Sequence, residues 1–491
     1  MSQEILINVT PQETRVAILE QGVLQEVIIE RANRRGQVGN IYKGRVIRVM
    51  PGMDAAFVDI GMEKGAFLHV SDILQVGQDV EGIASGQLDS APIGELLKEG
   101  GELLVQVVKD PLGSKGARLT TQITIPSRYL VLMPNVQTVG VSVKIEDEQE
   151  KERLRNMVVE VTPADRTCGY IVRTVAEGAS EDALRRDASF LQRLWRGIEE
   201  RAAETAVAEL VHQDLPLLLR TLRDYVDDDI DRVLVDSPED CERMQRFAQK
   251  YVPDVTERIE CYNGERPLFD LHSIEDEIQR ALQRHVQLKS GGYLMIDQTE
   301  AMTTIDVNTG GFIGHRNLEE TIYKTNLEAA QAIARQLRLR NLGGIIIIDF
   351  IDMLDEEHKR QVMRALNKAL DKDYARTHVS EVSELGLVEM TRKRTRESLE
   401  HVLCQPCPSC EGRGSVRTAE SVCYEIFREI HRVSRLYTAR ELTVLASPDV
   451  IELLLDEQSS GIAELQSHTR ATIRLQVESV YNREQYDVVI T

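Results

Sequence analysis

Four consecutive isoleucines, Ile345 to Ile348, are entered through Gly343-Gly344 and closed by Asp349. A continuous apolar run of this length is predicted to be a central strand buried on both faces. Upstream, the segment GGYLMIDQTEAMTTIDVNTGG reads as a hairpin through Ser290-Gly291-Gly292, its second strand ending at Thr304-Ile305-Asp306-Val307-Asn308. A helix is expected from about Leu318 to Arg340, and residues 281–400 alternate strand and helix, an α/β signal. Asp306 and Asp349 would then stand at the ends of neighbouring strands. An aspartate at the mouth of a buried strand costs stability unless something compensates its charge. Mg²⁺, which takes one or two carboxylates plus waters and phosphate oxygens, would do so. Asn308 shares a face with Asp306 and can orient an aspartate or the attacking water, with Asp352 as a supporting group. The plainer alternative makes Asp306 a turn residue and Asp349 a helix N-cap; periodicity alone leaves both open.

A second pattern lies nearer the start. Residues 4–31 alternate as three short strands, too small a meander to stand alone. From residue 38 to 121, five short strands punctuated by glycine (Gly44, Gly52, Gly61, Gly65) suggest a small closed barrel. In AAFVDIG, Ala56, Val58 and Ile60 share one face while Phe57 and Asp59 share the other. Phe57 and Phe67 are therefore candidates for stacking on bases. Lys43, Arg45, Arg48 and Lys115 are candidates for phosphate contact. Ordinary burial would instead put both phenylalanines in the barrel core.

Charge argues against a bulk nucleic-acid binder. Fifty-nine basic residues face 80 acidic ones, net −21. RNA would have to meet local basic patches against an unfavourable mean field. Candidates are Arg335, Arg338 and Arg340 on the 318–340 helix, and the RKRTR run from Arg392 to Arg396, unless these are solvated helix faces. No run reaches the roughly 20 apolar residues that span a bilayer, and the charged start does not read as a signal peptide. A cytoplasmic protein is expected. The seven cysteines do not read as a disulfide framework: Cys168, Cys241, Cys261 and Cys423 are scattered, while Cys404, Cys407 and Cys410 form two overlapping Cys-x-x-Cys pairs with Gly412 and Gly414 behind them. That is the pattern of a zinc knuckle. A structural zinc needs four ligands, so the site is either improvised within the chain or shared by two chains.

The run EAMTTIDVNTG followed by TNLEAAQAIARQLRLRNLGGIIIIDFIDM resembles the catalytic segment of the ribonuclease E/G family, and GRVIRVMPGMDAAFVDIGMEKGAFLHVSDI resembles an S1 domain, a form of the OB-fold barrel. The likeness covers essentially the whole chain. It implies a single-strand-specific endoribonuclease with Asp306 and Asp349 as magnesium ligands and Asn308 beside them. Mg²⁺ would help generate the attacking hydroxide and stabilise charge on the scissile phosphate, leaving 5′-phosphate and 3′-hydroxyl ends. Phe57, Phe67 and Lys115 would bind RNA. Arg173, Thr174, Val131 and Arg376 match a pocket for a substrate 5′-monophosphate, although spacing alone makes Arg173-Thr174 an ordinary strand pair; Ser127 departs from a glycine in that pattern. The resemblance also favours a zinc link across a homodimer through Cys407 and Cys410, with Cys404 as an extra candidate. Expected substrates are messenger RNA and ribosomal RNA precursors. The chain ends soon after the knuckle, which points to the branch of the family without a long disordered tail.

The expected architecture is mixed α/β and multi-domain, with an S1 (OB-fold) barrel inserted in an RNase H-like subdomain. Its parts are an RNase H-like first piece (1–36), the S1 barrel (37–121), a 5′-sensor region (122–215), a second RNase H-like piece (216–280), a DNase I-like catalytic subdomain (281–402), the zinc-link (403–416) and a small α+β domain (417–491). Two rivals remain. A non-catalytic RNA-binding scaffold predicts RNA binding without cleavage, and a metal-dependent phosphatase or DNase predicts action on terminal phosphates or deoxyribose substrates.

Overall fold

The computed structural model describes residues 3–73, 91–111, 116–145, 147–162, 168–226, 230–311, 318–373, 375–383, 385–394, 396–437 and 440–490. Lys115, and His315 with its neighbours, lie outside the described residues. The chain divides into two units, Met1–Leu399 and Glu400–Thr491.

In the first unit the N-terminal meander does find partners. Strands Gln3–Val9, Glu13–Glu20 and Val23–Arg31 are antiparallel neighbours, and Gln3–Val9 also pairs in parallel with Ile230–Val235, which pairs with Ile259–Cys261. Gln21 and Gly22 both have positive φ, the conformation a tight two-residue hairpin demands. Helices Leu217–Asp224 and Pro238–Tyr251 close the core of this sheet with Ile5, Ile7, Val16 and Val233. Here one expectation fails. Cys241 and Cys261 are joined by a disulfide, because the helix carrying one packs on the strand carrying the other, with Cα atoms 5.6 Å apart.

The barrel closes as expected. Ile41–Met50 pairs with Ala55–Asp59 on one side and with Glu102–Lys109 on the other, and Ala66–His69 and Arg118–Thr120 complete the ring. Gly61 turns with φ +81°, and a Cβ there would meet the Ala208 carbonyl at 2.3 Å. Gly44 is not a corner: it sits within its strand, where a Cβ would meet Val58 at 2.5 Å. Helix Glu181–Glu204 is followed by Glu209–His212, which adds a strand to the barrel sheet. A separate four-stranded sheet (Val139–Val141, Cys168–Val172, Leu130–Pro134, Ile125–Pro126) packs on helices Glu148–Val161 and Glu181–Glu204.

The last sheet of this unit has six strands in the order His285–Gln287, Tyr293–Gln298, Met302–Asn308, Gly344–Asp349, Leu387–Arg392, Thr377–Val382. Helices Leu318–Leu339 and Glu356–Leu370 share its core through Ile305, Val307, Ile346, Ile348, Ala329, Ile333 and Leu366. The isoleucine run is not buried on both faces. Ile346 and Ile348 are buried, but Ile345 is 48% exposed and Ile347 half-buried. Among the described residues helices cover one face only, so four like residues serve two different environments.

In the second unit a three-stranded sheet, Thr472–Val477, Glu441–Ala446 and Tyr486–Ile490, packs on helices Ala419–Leu436, Pro448–Leu455 and Ser459–Thr469. Glu484 bonds the Arg413 guanidinium and the Arg417 amide, holding the end of the cysteine knuckle to this domain. No described helix is long and apolar enough to cross a membrane.

Candidate active site

Asp306 and Asp349 are opposite one another in the parallel pairing of Met302–Asn308 with Gly344–Asp349. Parallel neighbours lie about 4.8 Å apart, and alternation sends both side chains to the face without helices, where both are exposed. The buried-strand premise is thus corrected: these carboxylates stand on an open sheet face. The arrangement remains electrostatically costly. Partial desolvation, then the Asp306 and Asp352 carboxylates, push the Asp349 acid above its ordinary range. A divalent cation relieves that repulsion, so the donor set fits magnesium. The Asn308 amide donates to Asp306 Oδ2 at 2.8 Å, which fixes one acidic side chain, and among the described residues the other carboxylate oxygen carries no bond.

Sequence reading missed Asn326. Fully buried on the 318–339 helix, it accepts from the Ile351 amide at 3.1 Å and donates to the Ile351 carbonyl at 2.8 Å. It therefore pins the chain as it leaves Asp349. An asparagine on the apolar face of TNLEAAQAIA was the available signal, since a buried amide demands partners.

On the barrel, Phe57 and Phe67 are cross-strand partners on the outer surface, neither in the core, with ring centroids 6.1 Å apart and edge-to-face. Arg48 is Phe57's other neighbour, and Arg118 is opposite Phe67. Lys43 and Arg45 both pair with Glu102, so neither is a free phosphate contact.

Three of the four candidate phosphate-pocket residues are brought together. Arg173 follows strand Cys168–Val172, and Thr174 opens a single 3₁₀ turn, so neither is a strand residue. Val131 pairs with Ile171 in the neighbouring strand. The Arg173 guanidinium donates to the Ser127 carbonyl at 2.6 Å and to Asp224 at 3.2 Å, and Thr174 shares a hydrogen bond with Ser142 at 3.0 Å. Arg376 is exposed just before edge strand Thr377–Val382 of the six-stranded sheet, and among the described residues its side chain bonds to none of these.

The Ser127 departure has a structural account. Its hydroxyl donates to Asp187 at 2.5 Å, and the same carboxylate accepts from the Tyr129 and Leu130 amides. Asp187 thereby holds the turn whose carbonyl orients Arg173. Burial raises the Asp187 acid despite these bonds and the nearby Arg173 charge. A raised folded-state acid means the native form holds a proton that the unfolded form has released, so stability falls as pH rises through that window. We expect Asp187→Asn, which keeps the acceptor for both amides, to match the parent's melting temperature at pH 4 and exceed it at pH 7; a parent that is the more stable at pH 7 sinks this account.

The basic stretches are otherwise engaged. Arg335 bonds Glu277 and the Leu24 carbonyl, Arg338 bonds Glu20, and Arg340 is buried. Arg392 is buried against Asp373, Arg394 bonds the Gly343 carbonyl, and Arg396 bonds Glu26. Arg335, Arg338 and Arg396 fasten this sheet to the N-terminal one, and Arg392 and Arg394 bond within its own region. Cys404 and Cys407 are exposed and Cys410 is buried; amides and side chains of Cys410 and Ser409 lower the Cys407 thiol. Among the described residues no three His, Cys, Asp or Glu side chains gather as a metal site.

Comparison with known proteins now adds to this geometry. A profile of the Ribonuclease E/G family matches residues 124–395, and one described as RNase E/G, Thioredoxin-like domain, matches residues 406–490. The chain belongs to the ribonuclease E/G family and is an endoribonuclease of RNA processing. It is 56% identical over 490 residues to Ribonuclease G of Salmonella typhimurium, covering 100% of both chains. It is 52% identical over 488 residues to Ribonuclease G of Haemophilus influenzae, with 99% of each covered. Ribonuclease E of Escherichia coli is 39% identical over 468 residues, which is 95% of this chain and 44% of that one.

Proposed function

We propose that this chain cuts single-stranded RNA internally at a magnesium site on Asp306 and Asp349, and that a 5′-monophosphate on the substrate, held at Arg173 and Thr174 beside Val131 and with Arg376, stimulates the cut. The pairing of Asp306 with Asp349 on an open face carries this reading. Magnesium there would neutralise charge at the scissile phosphate and favour ionisation of the attacking water. Asn308 holds Asp306 in its ligating orientation. Asn326 keeps the backbone beyond Asp349 in place. Products with 5′-phosphate and 3′-hydroxyl ends require the P–O3′ bond to break, so the attacking oxygen comes from water rather than the neighbouring 2′-hydroxyl. Phe57 and Phe67, with Lys115, would bind the strand by stacking and phosphate contact.

The proposed parts keep the boundaries given above: an RNase H-like sheet split around the S1 barrel, and a DNase I-like catalytic subdomain. Messenger RNA and ribosomal RNA precursors in the cytoplasm are the proposed substrates. Cleavage of a short AU-containing RNA with either a 5′-monophosphate or a 5′-hydroxyl, with Mg²⁺ or EDTA, tests the reading. Internal cuts are expected that vanish in EDTA and run faster on the monophosphate. Arg173→Gln should equalise the two substrates; persistence of the preference would remove Arg173 from the pocket, and cutting in EDTA would remove magnesium from the reaction.

We also propose a homodimer joined by zinc through Cys407 and Cys410. A structural zinc needs four ligands, and Cys404, Cys407 and Cys410 supply only three cysteines in the knuckle, which supports sharing between chains. Cys407→Ser with Cys410→Ser should release the zinc and halve the mass seen by light scattering. A zinc-free dimer of unchanged mass would contradict the shared site.

A further inference from the structure

The open face that carries Asp306 also carries an aromatic pair with no role so far. Tyr293 is the cross-strand partner of Asn308, and Met295 that of Asp306. Alternation along Tyr293–Gln298 buries Leu294 and Ile296 against the helices and turns Tyr293 to the same side as Asp306. On the next strand His285 is opposite Met295, diagonal to Tyr293, and the two rings stack with centroids 4.6 Å apart and planes 27° from parallel. His285 is exposed and Tyr293 half-buried. The turn beyond Asn308 borders the tyrosine: Gly310 has φ +60°, and a Cβ there would lie 3.5 Å from the Tyr293 ring. An aromatic surface thus begins one strand away from the residue that orients Asp306.

We infer that Tyr293 and His285 form a nucleobase subsite, a stacking platform for a base flanking the scissile phosphate. The inference rests on the assignment of Asp306 and Asp349 as the active site. Stacking suits this position. It holds a flanking nucleotide without reading its hydrogen-bonding edge, so it accepts any base. It needs an unpaired base, since a base within a duplex has both faces covered, and so adds to single-strand selectivity at the cut itself. Cross-strand aromatic pairs also stabilise sheets, and the test must separate the two roles.

The test is a set of short 5′-monophosphorylated RNAs in which each nucleotide around a single cleavage site is made abasic in turn, cut by the full-length enzyme with Mg²⁺. Removing the base that stacks is expected to cost the parent about tenfold in kcat/KM, mainly through KM. Tyr293→Ala should lose a similar factor on the intact RNA and show no further loss on that abasic RNA, because the shared contact is already gone. Tyr293→Phe should recover most of the loss, and His285→Ala should show a smaller version of the same pattern. If Tyr293→Ala keeps the full abasic penalty at every position, or cuts intact RNA as the parent does, the subsite is overturned. So it is if the loss is a uniform fall in kcat with the penalties intact, the mark of a sheet-stabilising role. Asp306→Asn in parallel separates the two ideas: if it is inactive while the platform pattern is absent, only the platform fails, and if it cuts normally the active-site assignment fails first.

Discussion

Asp306→Asn and Asp349→Asn are each expected to lower kcat for RNA cleavage by at least about a thousandfold, roughly 4 kcal/mol of transition-state stabilisation, without lowering the melting temperature. The expected loss of activity follows from halving the carboxylate charge of the proposed two-carboxylate site. Retention of the fold follows from where these residues stand. Both are exposed on a sheet face without helices, and neither carries a packing contact that an amide of the same shape would lose. For Asp349 the sign can be worked out. Its folded-state acid is raised by desolvation and by Asp306 and Asp352, so the ionised form costs the native state stability at neutral pH, a cost that disappears as pH falls below the ordinary carboxylate range. Asp349→Asn removes it, and should melt no lower than the parent at pH 7. Gel-resolved cleavage with calorimetry on the same preparations checks both halves. An Asn variant that cuts at the parent rate would displace the active site, and one that is inactive but melts far below the parent would leave the loss explained by unfolding.

Asp373→Ala is the opposite case, a variant far from the cut that damages the fold. Asp373 and Arg392 are 3% and 5% exposed at their side chains, with a bidentate contact at 2.6 and 3.0 Å. Arg392 also donates to Asn341 Oδ1 and the Leu342 carbonyl. The cluster ties the end of strand Leu387–Arg392 to the turn after helix Glu356–Leu370 and to the chain entering Gly344–Asp349. Removing the acid leaves a buried guanidinium without its counter-charge, expected to cost about 3–5 kcal/mol. The midpoint of urea unfolding of the full chain should fall accordingly, and a double variant, Asp373→Leu with Arg392→Met, should recover part of the loss. A midpoint unchanged in Asp373→Ala would mean the pair contributes nothing.

Much of the catalytic sheet was legible because two periods coexist there. The strand–helix–strand order and the shared face of Asp306 and Asn308 followed from alternation, the choice of the two aspartates came from the family resemblance, and the barrel followed from short strands punctuated by glycine. Alternation offered an outward face for Phe57, and the S1 resemblance rather than burial odds favoured the outer surface for both Phe57 and Phe67. The isoleucine run shows where this reading stops. Side-chain type reports affinity for apolar surroundings but not whether a second layer exists to supply them, and Ile345 remains half in solvent. The arginines show the same limit. Arg335, Arg338, Arg392 and Arg396 look like a phosphate-binding surface in one dimension, yet each is claimed by an acid or carbonyl from a distant part of the chain.

What the sequence determined by itself was local: strand and helix periods, the turn at Gln21-Gly22, the shared face of Asp306 and Asn308, and the Cys-x-x-Cys spacing. These depend on interactions within a few residues or on one repeating face. Only the tertiary structure decided that residues 3–31 share a sheet with 230–261, that Cys241 meets Cys261, that Asp224 and Ser127 hold Arg173, and that Tyr293 lies beside Asn308 on an uncovered face. Each of these is a contact between segments whose separation along the chain bears no relation to their distance in space, chosen by packing and by the need of every buried charge for a partner.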